Sequence, residues 1–436
     1  MQLPLNERDT LFEKLLQDLP MDLAESAREF KAFTRSRKLK NPQDVIRAVL
    51  LYSGLDQSLR EVAGTMTLVL GEPITDQAIS DRLRATKPWL QVLLRQMLEL
   101  PDEVRSKFEG RRLVVVDATN ITGVQASGTE YRIHTKIDLL SFELLEIIVS
   151  DAKLSESLVN FHHQAGDLVL GDRAYIRRKR VLDLNEQGVE IIGRFSPTQC
   201  VVEDVEGNKI EWQERLAGLS EGVRTTLEVR LHDGKRKTVK AWLHIYRKSA
   251  EKAAQARRKA RRKAQQEGRT IQALTLQLCD YVMILTTLSV VQLSCQTVLE
   301  LYRMRWQIEL VFKRWKSLLG AAKQRCKRMS ELGWSWVYGK LLYCLLIERR
   351  AGRVMGWEKL QPEREQSLWR IWKIVKEEVV PMILGSQNWQ AIMWVEAIKV
   401  LGERKRKRDL QSIPQKVREY LKREFVKGGQ SLEAIF

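Results

Sequence analysis

Cysteine is scarce in this sequence and scattered where it occurs. Its five residues, Cys200, Cys279, Cys295, Cys326 and Cys344, are odd in number and include no close CxxC pair. That spacing argues against both a disulfide framework and a thiolate zinc site, so the thiols are expected to be reduced. Histidine is as sparse: His162 and His163 adjoin, His134 stands alone in an alternating segment, and no cysteine or carboxylate lies at zinc-ligand spacing, so these read as structural residues. No apolar run approaches the roughly 20 residues needed to cross a bilayer; the richest is the short stretch from Lys340 to Ile347. The first twenty residues, MQLPLNERDTLFEKLLQDLP, lack a basic start followed by an apolar stretch and a small-residue cleavage site, so a soluble cytoplasmic protein is expected. Acid is short as well. Lys and Arg number 74 against 55 Asp and Glu, a formal charge of +19, which favours a polyanionic partner, with nucleic acid ahead of an anionic membrane.

What is present divides by texture. At 436 residues the chain is too long for one ordinary core, so two or three domains are expected. From Leu11 to Leu100 apolar residues recur at helical spacing, as at Val45, Val49 and Tyr52, with Pro20, Pro42, Pro73 and Pro88 between helices. Within this region Ser58 to Gly64 and Ile74 to Leu83 make a helix pair around the turn at Gly71, with Thr75 or Asp76 as N-cap; such a pair can enter DNA or simply pack. At Arg111 the pattern changes to strands: RRLVVVDATN, then TEYRIHTKIDL, then ELLEIIVSDA. A helix from Ser155 to Phe161, the strand DLVLGD, a basic helix from Tyr175 to Gln187 and the strand VEIIGRF follow, an α+β order with a mixed sheet. Residues 197–289 read as an inserted β domain, interrupted by a very basic helix from Glu251 to Arg269 that suits either phosphate contact or solvent. From Gln296 the chain is helical and holds nine of the twelve tryptophans, read mainly as core, before the basic run from Glu403 to Asp409.

Three carboxylates draw attention. Asp117 follows the apolar run Leu113 to Val116 and Asp172 follows Leu168 to Gly171, so both are expected at strand ends, where the plain alternatives are a turn and a helix N-cap. Hard oxygen ligands converging from two strands suit Mg²⁺ or Mn²⁺. The third comes from LYRMRWQIELVFKRWKSLLG, Leu301 to Gly320, read as one helix. At about 100° per residue, Tyr302, Arg305, Glu309 and Lys316 share one stripe, and Met304, Ile308, Val311, Trp315 and Leu318 gather on the other side. A solvated face of mixed charge would give the same stripe.

The spacing Y-x2-R-x3-E-x6-K, filled by Tyr302, Arg305, Glu309 and Lys316, resembles the signature of bacterial DDE transposases of the insertion-sequence-four type. VVVDATNITG and LGDRAY precede it in the matching order, so the resemblance covers the chain from about Ser58 to Gln324. It implies an RNase H-like mixed sheet interrupted by an inserted β domain, with helical regions at both ends. Residues 1–105 would be a DNA-binding domain, 106–325 the catalytic domain, and 326–436 a helical region suited to dimerisation. It also implies Asp117, Asp172 and Glu309 as catalytic metal ligands for Mg²⁺, with Mn²⁺ able to substitute, and Tyr302, Arg305 and Lys316 as phosphate-gripping residues. The implied activity is DNA cleavage and strand transfer in cut-and-paste transposition. Double-stranded DNA, as transposon ends and target, would be the partner of a homodimer associated with the nucleoid when bound and not with membrane. A catalytically inactive or adopted transposase acting as a DNA-binding protein, or a nuclease of the same fold, would share the basic surface. Relatives often read Asp-Arg-Gly-aromatic where this chain has Asp172, Arg173, Ala174 and Tyr175, a change in local backbone freedom alone. Where some relatives stack a tryptophan on a flipped base, the nearest aromatic is Tyr281, expected to be core.

Overall fold

The computed structural model describes residues 5–98, 108, 110–124, 128–327, 329–355, 364–384 and 402–404. The N-terminal part is helical: α1 (Leu5–Leu16), α2 (Leu23–Glu29), α3 (Pro42–Val49), α4 (Leu59–Leu70), α5 (Asp76–Arg84) and α6 (Lys87–Leu98). Side chains set several of the starts. Asn41 and Asp44 bond reciprocally to each other's backbone N–H at the head of α3, and Ser58 and Glu61 do the same for α4. Gly71, at φ 71°, ends α4 in the left-handed conformation, and Thr75 accepts the Ala78 N–H at 3.2 Å to start α5. The expected helix pair is thus α4 and α5, with Thr75 as N-cap.

A meander follows: β1 (Arg112–Gly123), β2 (Thr129–Asp138) and β3 (Leu144–Asp151) pair antiparallel. Next come β4 (Asp167–Gly171), α7 (Arg178–Asn185) and β5 (Glu190–Arg194), with β4 parallel to β1 and β5 parallel to β4. The helix expected from Ser155 to Phe161 is only a 3₁₀ turn, Leu158–Asn160. Asn160 Nδ2 donates to the Ser155 carbonyl at 2.7 Å and the His163 ring meets the Leu158 carbonyl at 2.9 Å, so side chains take acceptors that an α-helix would use.

The remaining elements are α8 (Trp212–Leu216), β6 (Arg224–His232), β7 (Thr238–Arg247), α9 (Ala250–Gln266), α10 (Ala273–Leu278), β8 (Tyr281–Thr286), α11 (Cys295–Met304), α12 (Trp306–Ser317), β9 (Lys323–Gln324), α13 (Glu331–Met355), α14 (Leu368–Leu384) and a separate antiparallel pair, β10 (Arg364–Gln366) with β11 (Gly402–Arg404). The strands run in the order β3-β2-β1-β4-β5-β8-β7-β6, and β9 pairs with the far end of β1. The strands of residues 197–289 therefore continue one large mixed sheet, with Ile192 opposite Thr286 and Leu285 opposite Leu243. Pairing β8 with β5 covers what would otherwise be an open edge of the sheet.

Both faces of the sheet are buried. Leu113, Val115, Leu168 and Leu170 face a core that runs continuously from Phe12 of α1 through α11, α12 and α13 to Ile383 of α14. Val114, Val116 and Val169 face the other way, onto α7 and the side chains of residues 197–289. Burial on both faces accounts for the unbroken apolar runs of β1 and β4. Of the C-terminal tryptophans, Trp315, Trp336 and Trp372 are buried, whereas Trp306 and Trp369 are exposed; Trp357, Trp389 and Trp394 lie outside the described residues, as does the run from Lys405 to Asp409. Among the described residues no helix is long and apolar enough to cross a membrane.

Candidate active site

The parallel pair β1 and β4 sets the site. Its last matched residues are Val115 and Leu170, and two positions beyond them stand Asp117 and Asp172. Both carboxylates thus stand at the same level, just past the point where the two strands part. Asp117 is not at a strand end as expected, because β2 keeps pairing with β1 through Thr135 opposite Asp117 and onward to Thr129. On its other side β1 loses β4 after Val115 and gains β9 only at Thr122, so the edge beside Asp117 is open. Asp172 is not a helix cap either: Arg177 holds that position for α7. Instead Asp172 Oδ1 accepts the Ala174 N–H at 2.7 Å, which folds the chain into a turn.

The turn is pressed against the sheet. An added Cβ on Gly193 would sit 2.1 Å from Ile176 Cδ1, so any larger residue there would force the buried Ile176 side chain, in the segment that follows Asp172, to move. Tyr175 is fully buried there, and its hydroxyl has no hydrogen-bond partner among the described residues. Burial, followed by the charges of Asp117, Glu156 and Asp172, pushes its phenol well above the usual range.

The third carboxylate arrives on a broken helix. The segment expected to be one helix from Leu301 to Gly320 is two, α11 and α12, meeting at Arg305. Arg305 N–H donates to the Tyr302 carbonyl and Ile308 N–H to the Arg305 carbonyl, both at 3.2 Å, so the chain tightens to three-residue bonding. Met304, Ile308, Val311 and Trp315 are buried as expected, with Leu318 half-buried. The Arg305 guanidinium then bridges two carboxylates: Nη1 lies 2.7 Å from Asp117 Oδ2 and Nη2 lies 2.5 Å from Glu309 Oε1.

The electrostatics follow from crowding. Burial pushes the Asp117 carboxyl up to about 7; Arg305 and the Ala118 N–H oppose this, and the charges of Asp172 and Glu309 reinforce it. Burial works against the Arg305 charge, but Asp117, Tyr302 and Glu309 outweigh it and hold its pKa above the ordinary value. Tyr302 is raised by burial, with Arg305 and Arg194 pulling the other way, and the Arg305 guanidinium lies 5.9 Å from its ring centre. Asp117, Asp172, Glu309, Tyr302 and Arg305 therefore share one field. Lys316 stands about two turns further along α12, depressed by burial, and among the described residues no hydrogen bond or ion pair joins it to the carboxylates.

Among the described residues no three His, Cys, Asp or Glu side chains are gathered closely enough to hold a metal ion, since Arg305 stands between Asp117 and Glu309. The donor chemistry nevertheless fits a hard divalent cation. Two carboxylates meet one guanidinium, the Asp172 charge acts on the first of them, and a buried Asp117 held near 7 is the group whose ionised form such a cation would stabilise.

Sequence reasoning passed over three neighbours. Arg194 follows the buried strand residues Ile191, Ile192 and Gly193, as Asp172 follows Leu168 to Gly171; a charge at the end of such a run was the available signal. Tyr175 and Glu156 carried none. Glu156 is raised by burial and then by Asp172, with Arg132 Nε 3.9 Å from its Oε1. Of the histidines, buried His134 lies 3.1 Å from Ser150 Oγ, and burial holds it down to about 4. Tyr281 is core, its hydroxyl donating to the Leu216 carbonyl at 2.9 Å.

Residues 108–337 match a family model described as a transposase DDE domain. The chain is 30% identical over 336 residues to the putative transposase InsL of insertion sequence element IS186A from Escherichia coli K12, covering 76% of this chain and 90% of that protein. It is likewise 30% identical over 337 residues to the transposase of insertion sequence element IS421 from Escherichia coli, again covering 76% and 90%. A cryo-EM structure of the piggyBac transposase synaptic complex with hairpin DNA aligns with 92% of this chain and 86% of that one, at 8% identity and a TM-score of 0.43.

Proposed function

The chain belongs to the DDE transposases of bacterial insertion sequences, and from that premise we propose that it binds the ends of its element, cuts the DNA there and joins it to a target. The observation that carries this reading is the Arg305 bridge between Asp117 of β1 and Glu309 of α12, with the charge of Asp172, beyond the end of β4, acting on the same Asp117. An RNase H-like core is supported by the order β3-β2-β1-β4-β5, with an antiparallel meander and two strands parallel to β1.

Asp117, Asp172 and Glu309 would hold the divalent ions, which in bound form activate the attacking oxygen and stabilise the leaving one. The protein's own side chains do the rest. Arg305 presents a planar fork that fits two phosphate oxygens, and it already stands against the carboxylates. Tyr302 backs the fork through its ring, and Lys316 adds a point charge further along α12. DNA-end recognition falls to residues 1–105, where α5 is held by Arg82 donating to the Ala32 and Arg35 carbonyls and leaves Gln77, Asp81 and Arg84 exposed. Residues 326–436 are assigned to pairing of two copies, since two ends have to be brought together.

The test uses labelled DNA from the flanks of the gene, Mg²⁺ and a supercoiled target. Glu309→Gln is expected to abolish cleavage and joining while end binding persists in a gel-shift assay. Retained cleavage sinks the assignment of the triad. Binding without cleavage in the unsubstituted protein points instead to an adopted, inactive transposase, and cleavage without joining to a nuclease.

A further inference from the structure

Helix α9 carries more positive charge than its fold requires. Its 17 residues, AEKAAQARRKARRKAQQ, hold seven Lys and Arg against one Glu. Ala253, Ala256, Ala260 and Ala264 recur at helical spacing and form its inner side, with Ala253 buried and the others half-buried. The outer side exposes Arg258, Lys259, Arg261 and Arg262, and among the described residues none of these has an ion-pair partner. Arg257 is anchored to Asp280, which fixes the helix against the start of β8. Arg257 and Arg261, Arg258 and Arg262, and Lys259 and Lys263 each stand four residues apart, an arrangement that repels along the helix. Such repulsion disfavours the helix unless an external polyanion relieves it.

The position of α9 names that polyanion. Ala256 and Ala260 form one wall of a cavity of about 270 Å³ whose other walls include Arg173, Arg194 and Lys248. Arg194 is largely buried, bonds the Tyr281 carbonyl at 3.1 Å and, with Arg173 and Lys248, forms no ion pair among the described residues. Arg173 directly follows Asp172, and the Arg194 charge acts on Tyr302. Positive charge therefore lies on both sides of α9, on its exposed outer side and in the cavity beneath its inner side, where Arg173 adjoins Asp172.

We propose that the exposed face of α9 is a sequence-independent contact for the DNA backbone, with Arg258, Lys259, Arg261 and Arg262 each facing phosphate on the duplex that reaches Asp172. The proposal rests on the reading that DNA is the partner and specifies which surface holds it. Each phosphate contact contributes about 0.9 to the slope of log affinity against log salt.

The full chain is titrated with a short random-sequence duplex across a salt series in buffer without divalent metal. A variant carrying Arg258→Gln, Lys259→Gln, Arg261→Gln and Arg262→Gln is expected to lower that slope by about three to four, with a thermal midpoint no lower than the parent's because like-charge pairs along the helix are removed. A control carrying Lys235→Gln and Arg236→Gln on the exposed β6–β7 turn is expected to leave the slope as it was. The proposal is overturned by an unchanged slope in the α9 variant, or by an equal loss per charge in the control, which would assign the effect to net charge. It is overturned too if the variant loses binding to phosphatidylglycerol vesicles and keeps its duplex slope, which would assign α9 to a membrane. Because no cleavage is measured, failure of the Glu309→Gln test and failure of this one are separate results.

Discussion

Arg305 has two hydrogen-bonding edges, and both meet carboxylates, one of them 188 positions away in sequence. A lysine would bring the same charge without the fork, so Arg305→Lys and Arg305→Ala are both expected to weaken positioning of the element's end and to slow cleavage. Stability separates them. Removing one partner from a largely buried ion pair costs roughly 3 kcal/mol, so in urea unfolding without metal Arg305→Ala is expected to lose about that much and Arg305→Lys distinctly less; equal stability of all three would deny the bridge any structural weight. The three carboxylates were legible because charge directly after buried apolar residues is rare enough to notice, and because Glu309 shares a stripe with Tyr302 and Arg305. The bridge was not legible, since nothing local ties position 305 to position 117. Arg194 shows the same signal as Asp172 but as a lone cation at the end of a strand, where a snorkelling side chain is the ordinary expectation.

Among the elements, the sequence distinguished helix from strand well and continuity poorly. Apolar spacing through Leu301 to Gly320 is uninterrupted, so it reads as one helix; the break falls at Arg305, whose side chain meets Asp117 of β1, a tertiary contact that periodicity cannot register. Short alternating strands such as β6 and β7 look the same in a separate sheet and in an extension of one, and only the pairing of β8 with β5 decides. The contact between β5 and the turn after Asp172 is sharper still. At Gly193 a methyl group would collide with Ile176, so Gly193→Ala is expected to destabilise by about 1–3 kcal/mol, read as a lower urea midpoint. Because the displaced turn carries Asp172, cleavage should fall more than duplex binding; a midpoint within error of the parent protein would show that the turn can shift freely.

At the scale of the whole molecule, the N-terminal helices, one face of the sheet and the C-terminal helices share a single apolar core. Polar groups tie the same parts together. Buried Lys340 of α13 donates to the Gly54 and Leu319 carbonyls, each at 3.1 Å, and to Asp56 at 2.8 Å. Glu348 of α13 accepts from Trp315 at 3.3 Å and lies 3.7 Å from Arg314 on α12. Burial lifts its carboxyl from 4.5 to about 7 against the pull of Arg314. A carboxyl whose folded pKa is raised binds its proton more tightly in the folded chain, so stability falls as pH climbs from about 4.5 to about 7 and levels off above. Thermal midpoints measured across that window are expected to decline in the parent protein and to decline less in Glu348→Gln; parallel curves would contradict the assignment. The shared core also imposes an order in time. Asp117 is translated 238 positions before Met355, where α13 ends, and at about 5–20 residues per second that interval lasts roughly 10–50 s. Throughout it the nascent sheet lacks the helices that complete its core, so a chain released early would expose β1 and β4 without their apolar cover.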